Sequence, residues 1–331
     1  MNQTMRISFV LILFSCVCSP TSVAQAHSLF IQHVIYLSSD ELKGRGSGSN
    51  GILEAARYIE KQFKQIGLKP YSQQTYLQPV AIADPELREN NVIGWLQAAE
   101  ETSRSLVFMA LYDGLGVRTG GSEGDDVIFN GARDNATGVA ALIELARRLA
   151  QRPTINHNIV FIATTLEEVN FGGSRQYVDS PLFPLHDISL VLNIDGFNVS
   201  GPRSDFFVMP RKGINMLNDI KRVALNLDWQ YSPQEWVDVM NQRFDSAVML
   251  SHGVPAITIW TGNTLKNGQP APSVALGDIH SVEDEINEFW NWEGVDAHLS
   301  LYLAVANFYL EHPGTAKVTK PELFTVRLKD K

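Results

Sequence analysis

The chain has 331 residues, of which 44% are hydrophobic and 19% charged, and a formal net charge of −9. It is globular and long enough to bury a large core, as one α/β domain or two smaller ones. The charge is spread along the chain and not held in a block, which argues against nucleic acid or an anionic membrane as a partner.

Residues 1–26 stand apart. Arg6 precedes the apolar run Ile7–Val17, and small residues end the segment at Ala24-Gln25-Ala26. These are the parts of a secretory signal cleaved before His27, so export to the periplasm or the outside of the cell is expected. The run is too short to span a bilayer, and no transmembrane segment is expected in the mature chain. Leu13-Phe14-Ser15-Cys16 offers a second reading, as a lipid-attachment site. Cys16 and Cys18 both fall inside the signal, so any transition metal in the mature chain must use His, Asp and Glu.

Ser28–Lys43 reads as a helix, with Phe30, Ile31, Val34 and Leu37 apolar. Gly44–Gly51 is a Gly/Ser turn. Its literal Gly-x-Gly-x-x-Gly, at Gly46, Gly48 and Gly51, follows no strand and is read as a loop that starts the next helix, Ile52–Ile66. Strands are expected at Gln74–Ala81, Asn91–Leu96 and Ser105–Leu111. The Gly114–Asn130 loop contains Gly120-Gly121-Ser122-Glu123-Gly124, a match to Gly-x-Ser-x-Gly. Val-Ile-Phe follows it where a nucleophile elbow needs a helix, so no nucleophile is assigned.

Thr137–Gln151 is an amphipathic helix with Val139, Ala140, Leu142, Ile143, Ala146 and Leu149 on one face. Strands at Ile159–Ala163, Ile188–Ile194 and Ala256–Trp260 alternate with helices at Gly172–Tyr177, Ile214–Leu227 and Val295–Leu310. The alternation predicts a single α/β domain over residues 27–313, with a mixed, mostly parallel sheet flanked by helices on both faces. Residues 314–331 form a polar C-terminal tail, expected to be loose.

Three acidic stations stand out. Asp134 lies in Asn130–Gly138, a loop that runs straight into a helix. Glu167-Glu168 follows the strand Ile159–Ala163, and Asp195 follows Ile188–Ile194. His280 waits far downstream. Acids at strand ends plus a distant His are what a zinc site on an α/β sheet needs.

Taken singly, each station has a plainer role. Asp134 could be a helix N-terminal acid, Glu167-Glu168 a solvated pair, Asp195 a loop cap and His280 a surface His. His252 and His298 sit beside or within helices and read as structural. Asn135-Ala136-Thr137 is a formal glycosylation sequon, set aside because it lies inside the loop. Trp236, Phe244 and Trp260 read as core aromatics, with a substrate pocket as the alternative.

In order and spacing, five motifs resemble the secreted zinc exopeptidases, a superfamily that includes bacterial leucyl aminopeptidases, glutamate carboxypeptidases and glutaminyl cyclases. The first is Leu37-Ser38-Ser39-Asp40-Glu41-Leu42-Lys43-Gly44-Arg45-Gly46. The second is Gly131-Ala132-Arg133-Asp134-Asn135-Ala136-Thr137-Gly138. Glu167-Glu168 and Asn193-Ile194-Asp195 follow, and Ile279-His280-Ser281-x-x-Asp284 completes the series. The resemblance implies a zinc-exopeptidase fold and a zinc held by Asp134, Glu168 and His280 with one position open. It places Glu167 as the proton shuttle, since neighbouring side chains diverge and Glu167 cannot easily share the ion. Asp284 is a candidate acceptor for an imidazole N–H.

In the family, the residue matching Asp195 binds a second zinc together with a His and the bridging Asp. Here the strand before the loop reads Leu111-Tyr112-Asp113 where the family has His-x-Asp. Gly114 stands where many bacterial relatives carry another His, and Arg133 replaces an acid. Asp245 lies where the family often has Asp-His, and here Ser246 follows it. One tight zinc is therefore expected, with a weak or empty second site left with Asp134 and Asp195. Contact with a substrate amine or water is the other role open to Asp195.

The implied function is an exported zinc exopeptidase, an aminopeptidase acting on peptides. A single-zinc acyltransferase of the glutaminyl cyclase kind and an inactive binding relative are the two alternatives.

Overall fold

Three runs, Ser105–Leu111, Asn158–Thr164 and Ile188–Asn193, are buried at every residue and lie side by side as parallel strands. Strands covered on both faces need near-continuous apolar sequence, which is what these runs supply. The computed structural model describes residues 20–81, 89–120, 122, 124–152, 156–271 and 278–326.

In chain order the strands are β1 (Lys69–Pro70), β2 (Leu77–Val80), β3 (Glu89–Leu96), β4 (Ser105–Leu111), β5 (Gly116–Val117) and β6 (Ile128–Phe129). They continue with β7 (Asn158–Thr164), β8 (Ile188–Asn193), β9 (Asp205–Met209), β10 (Gln230–Tyr231) and β11 (Ala256–Thr261). The helices are α1 (Pro20–Leu37), α2 (Asn50–Ile66), α3 (Thr137–Ala150), α4 (Gly172–Asp179), α5 (Leu217–Leu225), α6 (Val237–Met240), α7 (Asp245–Ser251) and α8 (Val295–Glu311).

The main sheet runs β1, β3, β7, β4, β8, β11, β9, β10, with β2 added to β3; β5 and β6 form a separate hairpin. β7, β4, β8 and β11 are mutually parallel, which requires crossover connections such as α3 and α4. β3 and β9 join this core antiparallel on its two flanks. The domain is thus a single mixed α/β layer structure.

Alternate residues of each strand sort to opposite faces. Leu106, Phe108, Ala110, Ile159, Phe161, Leu190 and Leu192 share one core with α1, α2, α3, α5 and α8. Phe108 and Phe161, paired in register, stack with centroids 5.4 Å apart. Val107, Met109, Val160, Ile162 and Val191 share the second core with α4 and α7.

The expected helix over Ser28–Lys43 ends at Leu37 and gives way to a 3-10 segment at Asp40–Arg45. Lys43, Gly44 and Arg45 have φ of 46, 64 and 50°, which breaks any helix there. The glycine motif that follows serves close packing. Gly51 lies in the first turn of α2, where a Cβ would fall 1.8 Å from the Leu42 carbonyl oxygen. β9 had no counterpart among the expected elements. The Gly-x-Ser-x-Gly match lies between β5 and β6, with residues 121 and 123 outside the described residues.

Residues 1–19 of the expected signal, including both cysteines, lie outside the described residues. Among the described residues no helix is long and apolar enough to cross a membrane. The stretch after Pro313 packs as far as it is described: Val318 bridges to Ile214, and Phe324 is buried in the second core.

Candidate metal centre

The C-terminal ends of parallel strands are where an α/β sheet gathers functional loops. At the end of β7 the chain turns sharply. Leu166 has φ 56°, and its carbonyl accepts from Gly172 N–H at 2.7 Å. This turn presents Glu167 and Glu168. Asp113, two residues after β4, holds it from the neighbouring strand end. Its carboxylate accepts from the backbone N–H groups of Glu167 and Glu168 at 3.1 Å each. Burial, and next the negative charge of Glu168, push the Asp113 carboxyl well above its usual range; the two N–H groups pull the other way.

Asp134 lies in the turn Ala132–Ala136 that leads into α3. Asp284 organises this turn. Its carboxylate accepts from Arg133 N–H at 2.9 Å and Asp134 N–H at 3.0 Å, and its carbonyl accepts from Ala132 N–H at 2.9 Å. The expectation that Asp284 accepts from an imidazole is therefore replaced: it holds the backbone of the loop that carries Asp134. Asn135 is fully buried, which closes it to glycosylation. Its Nδ2 donates to the carbonyls of Leu111 (3.1 Å) and Ile194 (3.0 Å), and its Oδ1 accepts from Gly196 N–H at 2.7 Å. One side chain thus pins the loop to the ends of β4 and β8.

His280 enters from a later segment, with φ 61°. Its Nε2 lies 2.9 Å from Asp134 Oδ2 and 3.4 Å from Glu168 Oε1. The ligand atoms of Asp134, Glu168 and His280 all lie within 4.8 Å of one another. The two carboxylates are mostly buried, while His280 is about half exposed at 51%. Hydrogen bonds to Asp134 and then Glu168 raise the imidazole to about 10, so at neutral pH it is a cation between two carboxylates.

One imidazole nitrogen and two carboxylates converging on one point suit zinc, and an organised loop behind them completes the fit. Leu115, Phe129, Gly131 and Ser281 help to line the small cavity around the three.

Asp195 stands outside this group. It lies at the end of β8, half-buried, and its carbonyl accepts from the indole N–H of Trp260. Leu111 is 2% exposed and offers no ligand atom. Among the described residues no second group of three or more His, Cys, Asp or Glu side chains converges in this way. Asp245 is buried at the start of α7 and accepts from Thr164 Oγ1 at 2.5 Å, tying α7 to the end of β7. His252 and His298 bond the carbonyls of Val248 and Ile259, consistent with structural roles. Trp236, Phe244 and Trp260 cluster with Phe207, with Trp236 stacked on Trp260 and 47% exposed.

Two residues that shape the site received no role from the sequence, Asp113 and Arg45. Arg45 is 1% exposed and donates to backbone carbonyls around the loop. Burial lowers it to about 10, opposed by the charges of Asp284, Asp134 and Asp113, so it is a cation at neutral pH. The signal available was a charged residue between two glycines, Gly44-Arg45-Gly46, within a motif otherwise read only as a resemblance.

The family model for peptidase family M28 matches residues 91–306. The probable lipoprotein aminopeptidase LpqL of Mycobacterium tuberculosis (strain ATCC 25618 / H37Rv) is 36% identical over 78 residues, covering 23% of this chain and 15% of that protein. The chain matches 16% and 15% of the lengths of its curated relatives. Its fold is similar to that of BSAP, a zinc aminopeptidase from Bacillus subtilis. The TM-score is 0.64 at 16% identity, over 90% of this chain and 98% of that one. The glutaminyl cyclase of Porphyromonas gingivalis is also similar in fold. Its TM-score is 0.58 at 16% identity, over 87% of this chain and 97% of that one.

Proposed function

The chain belongs to peptidase family M28, and from that premise we propose that it is an exported zinc-dependent aminopeptidase that releases N-terminal residues from peptides. The observation that carries the proposal is the convergence of Asp134, Glu168 and His280 beside the buried Glu167. Held by these three residues, a zinc ion would polarise the scissile carbonyl and lower the pKa of a water.

The protein's own groups account for the rest. Glu167 sits on the turn fixed by Asp113, and there it takes the proton of the attacking water and passes it to the leaving amine. Asp195 contacts the free amine of the substrate and so favours cleavage at an unblocked N-terminus. Export is supported by the Ile7–Val17 run and Ala24-Gln25-Ala26. Cleavage before His27 leaves Phe30, Val34 and Leu37, the core residues of α1, in place.

A second function is favoured by one observation. Among the described residues only three potential ligands converge, and Leu111, which the sequence resemblance sets against a metal-binding His, is buried and offers no ligand atom. One zinc suits cyclisation of N-terminal Gln by a glutaminyl cyclase-like acyltransferase.

The test offers zinc-loaded protein three substrates: an aminoacyl p-nitroanilide, its N-acetylated form and a Gln-initiated peptide. Release of p-nitroaniline from the unblocked compound alone is the expected result. Ammonia loss from the Gln peptide without p-nitroaniline release would replace the aminopeptidase by the cyclase. Silence on all three would leave a non-catalytic family member.

A further inference from the structure

Arg45 is a guanidinium enclosed by backbone. Nε donates to the Tyr112 carbonyl at 2.9 Å. Nη1 donates to the carbonyls of Leu37 and of Asn130, the latter at 2.8 Å. Nη2 donates to the Gly131 carbonyl at 3.0 Å. The four acceptors come from three separate stretches: the end of α1, the residue after β4, and the two residues that lead into the Asp134 turn. Burying a cation is costly unless its donors are all matched, and a planar fork can match several carbonyls at fixed angles. A Lys ammonium is a point charge on a flexible stem and cannot reproduce that pattern.

The backbone is shaped around the fork. Gly131 has φ 58°, and a Cβ there would lie 2.8 Å from Arg45 Nη2 and 2.3 Å from the Asp134 carbonyl oxygen. The carbonyl of Arg45 itself accepts from Gly114 N–H at 3.2 Å. Arg45 therefore grips both sides of Asp113, through Tyr112 before it and Gly114 after it. Asp113 in turn holds the N–H groups of Glu167 and Glu168.

We propose that Arg45 is the positioning residue of the metal centre, setting the spacing between the Asp134 loop and the Glu167–Glu168 turn. The guanidinium holds the carbonyls of Asn130 and Gly131 and that of Tyr112, while the Arg45 carbonyl holds Gly114, so both carboxylate ligands are registered to one residue. This role rests on Asp134, Glu168 and His280 being the zinc ligands. The side chain is too deeply enclosed to touch substrate, and it acts only through the backbone that it holds.

The test is the zinc Kd of the full chain, by chelator competition well below the melting temperature. The proteins compared are the wild type, Arg45→Lys and Phe63→Leu. Phe63 is buried in α2, so Phe63→Leu lowers stability without touching the loop. Arg45→Lys keeps the charge and loses the fork. It is expected to weaken zinc binding about tenfold or more, while Phe63→Leu binds as the wild type does.

Equal or tighter binding by Arg45→Lys overturns the positioning role and leaves the zinc site standing. Weakening in Phe63→Leu to the same degree also overturns it, because loss of affinity would then follow general instability. A wild type that binds no zinc overturns the site and the positioning role together. Should Arg45→Lys fail to fold, Arg45→Gln is read the same way, since it loses the reach to Asn130 and Gly131 and leaves no unmatched buried charge.

Discussion

His280 Nε2 lies 2.9 Å from Asp134 Oδ2, so the imidazole and the loop carboxylate are hydrogen-bonded at the point where both would face a metal ion. Asp134 and, at 3.4 Å, Glu168 both favour a proton on that nitrogen. Metal and proton therefore compete for the same three side chains.

The competition has a sign. His280 is raised to about 10 by Asp134 and Glu168, and only the neutral imidazole coordinates a metal. Below that pH zinc must displace a proton, so apparent affinity should rise about tenfold per unit between roughly pH 7 and 9. Chelator-competition titrations across this range measure it. A flat profile would show that His280 is already neutral in the free protein.

Glu167→Gln removes the base and keeps the size of the side chain, and Asp113 still holds the backbone N–H. Turnover should fall on the order of 10²–10⁴-fold with zinc per chain unchanged. Loss of zinc in that variant would make Glu167 a ligand.

Leu111→His places an imidazole at the last residue of β4, where the sequence resemblance expects one. Bound zinc should rise from one toward two per chain by elemental analysis. The substitution puts a polar group where Leu111 is buried, so a lower melting temperature is expected alongside. A ratio that stays at one would show that the position does not face the site.

Stability should fall in mild acid through two buried histidines. Burial lowers His298 to about 3 and His33 to about 4. As the pH drops below about 6.5 the unfolded chain takes up these protons and the folded chain does not. Each group should cost roughly 2–3 kcal/mol by about pH 4.5. Melting temperatures of the wild type and His298→Gln across that range test this. Parallel curves would rule out His298 as a source of the acid sensitivity.

The βα alternation and the acid at each strand end were legible because both are local. The runs Ser105–Leu111 and Ile159–Ala163 announce buried strands by their own composition, and Asp134 announces a loop entering a helix by its neighbours. β9 was not legible, because Asp205–Met209 is a short run whose strand character comes from antiparallel pairing with β11.

The sequence by itself determined the strand-and-helix order and the chemistry available at the strand ends, since hydrophobic period and side-chain type are properties of single segments. Only the tertiary structure decided what holds those groups in place. Asp284 binds the backbone of Arg133 across 151 positions, Asp113 that of Glu167 across 54, and Arg45 reaches Gly131 across 86. Such bonds join a side chain to a peptide group, and every residue other than Pro carries the same peptide donor and acceptor. No residue type marks the partner in advance, so which backbone is gripped emerges only once the chain has packed.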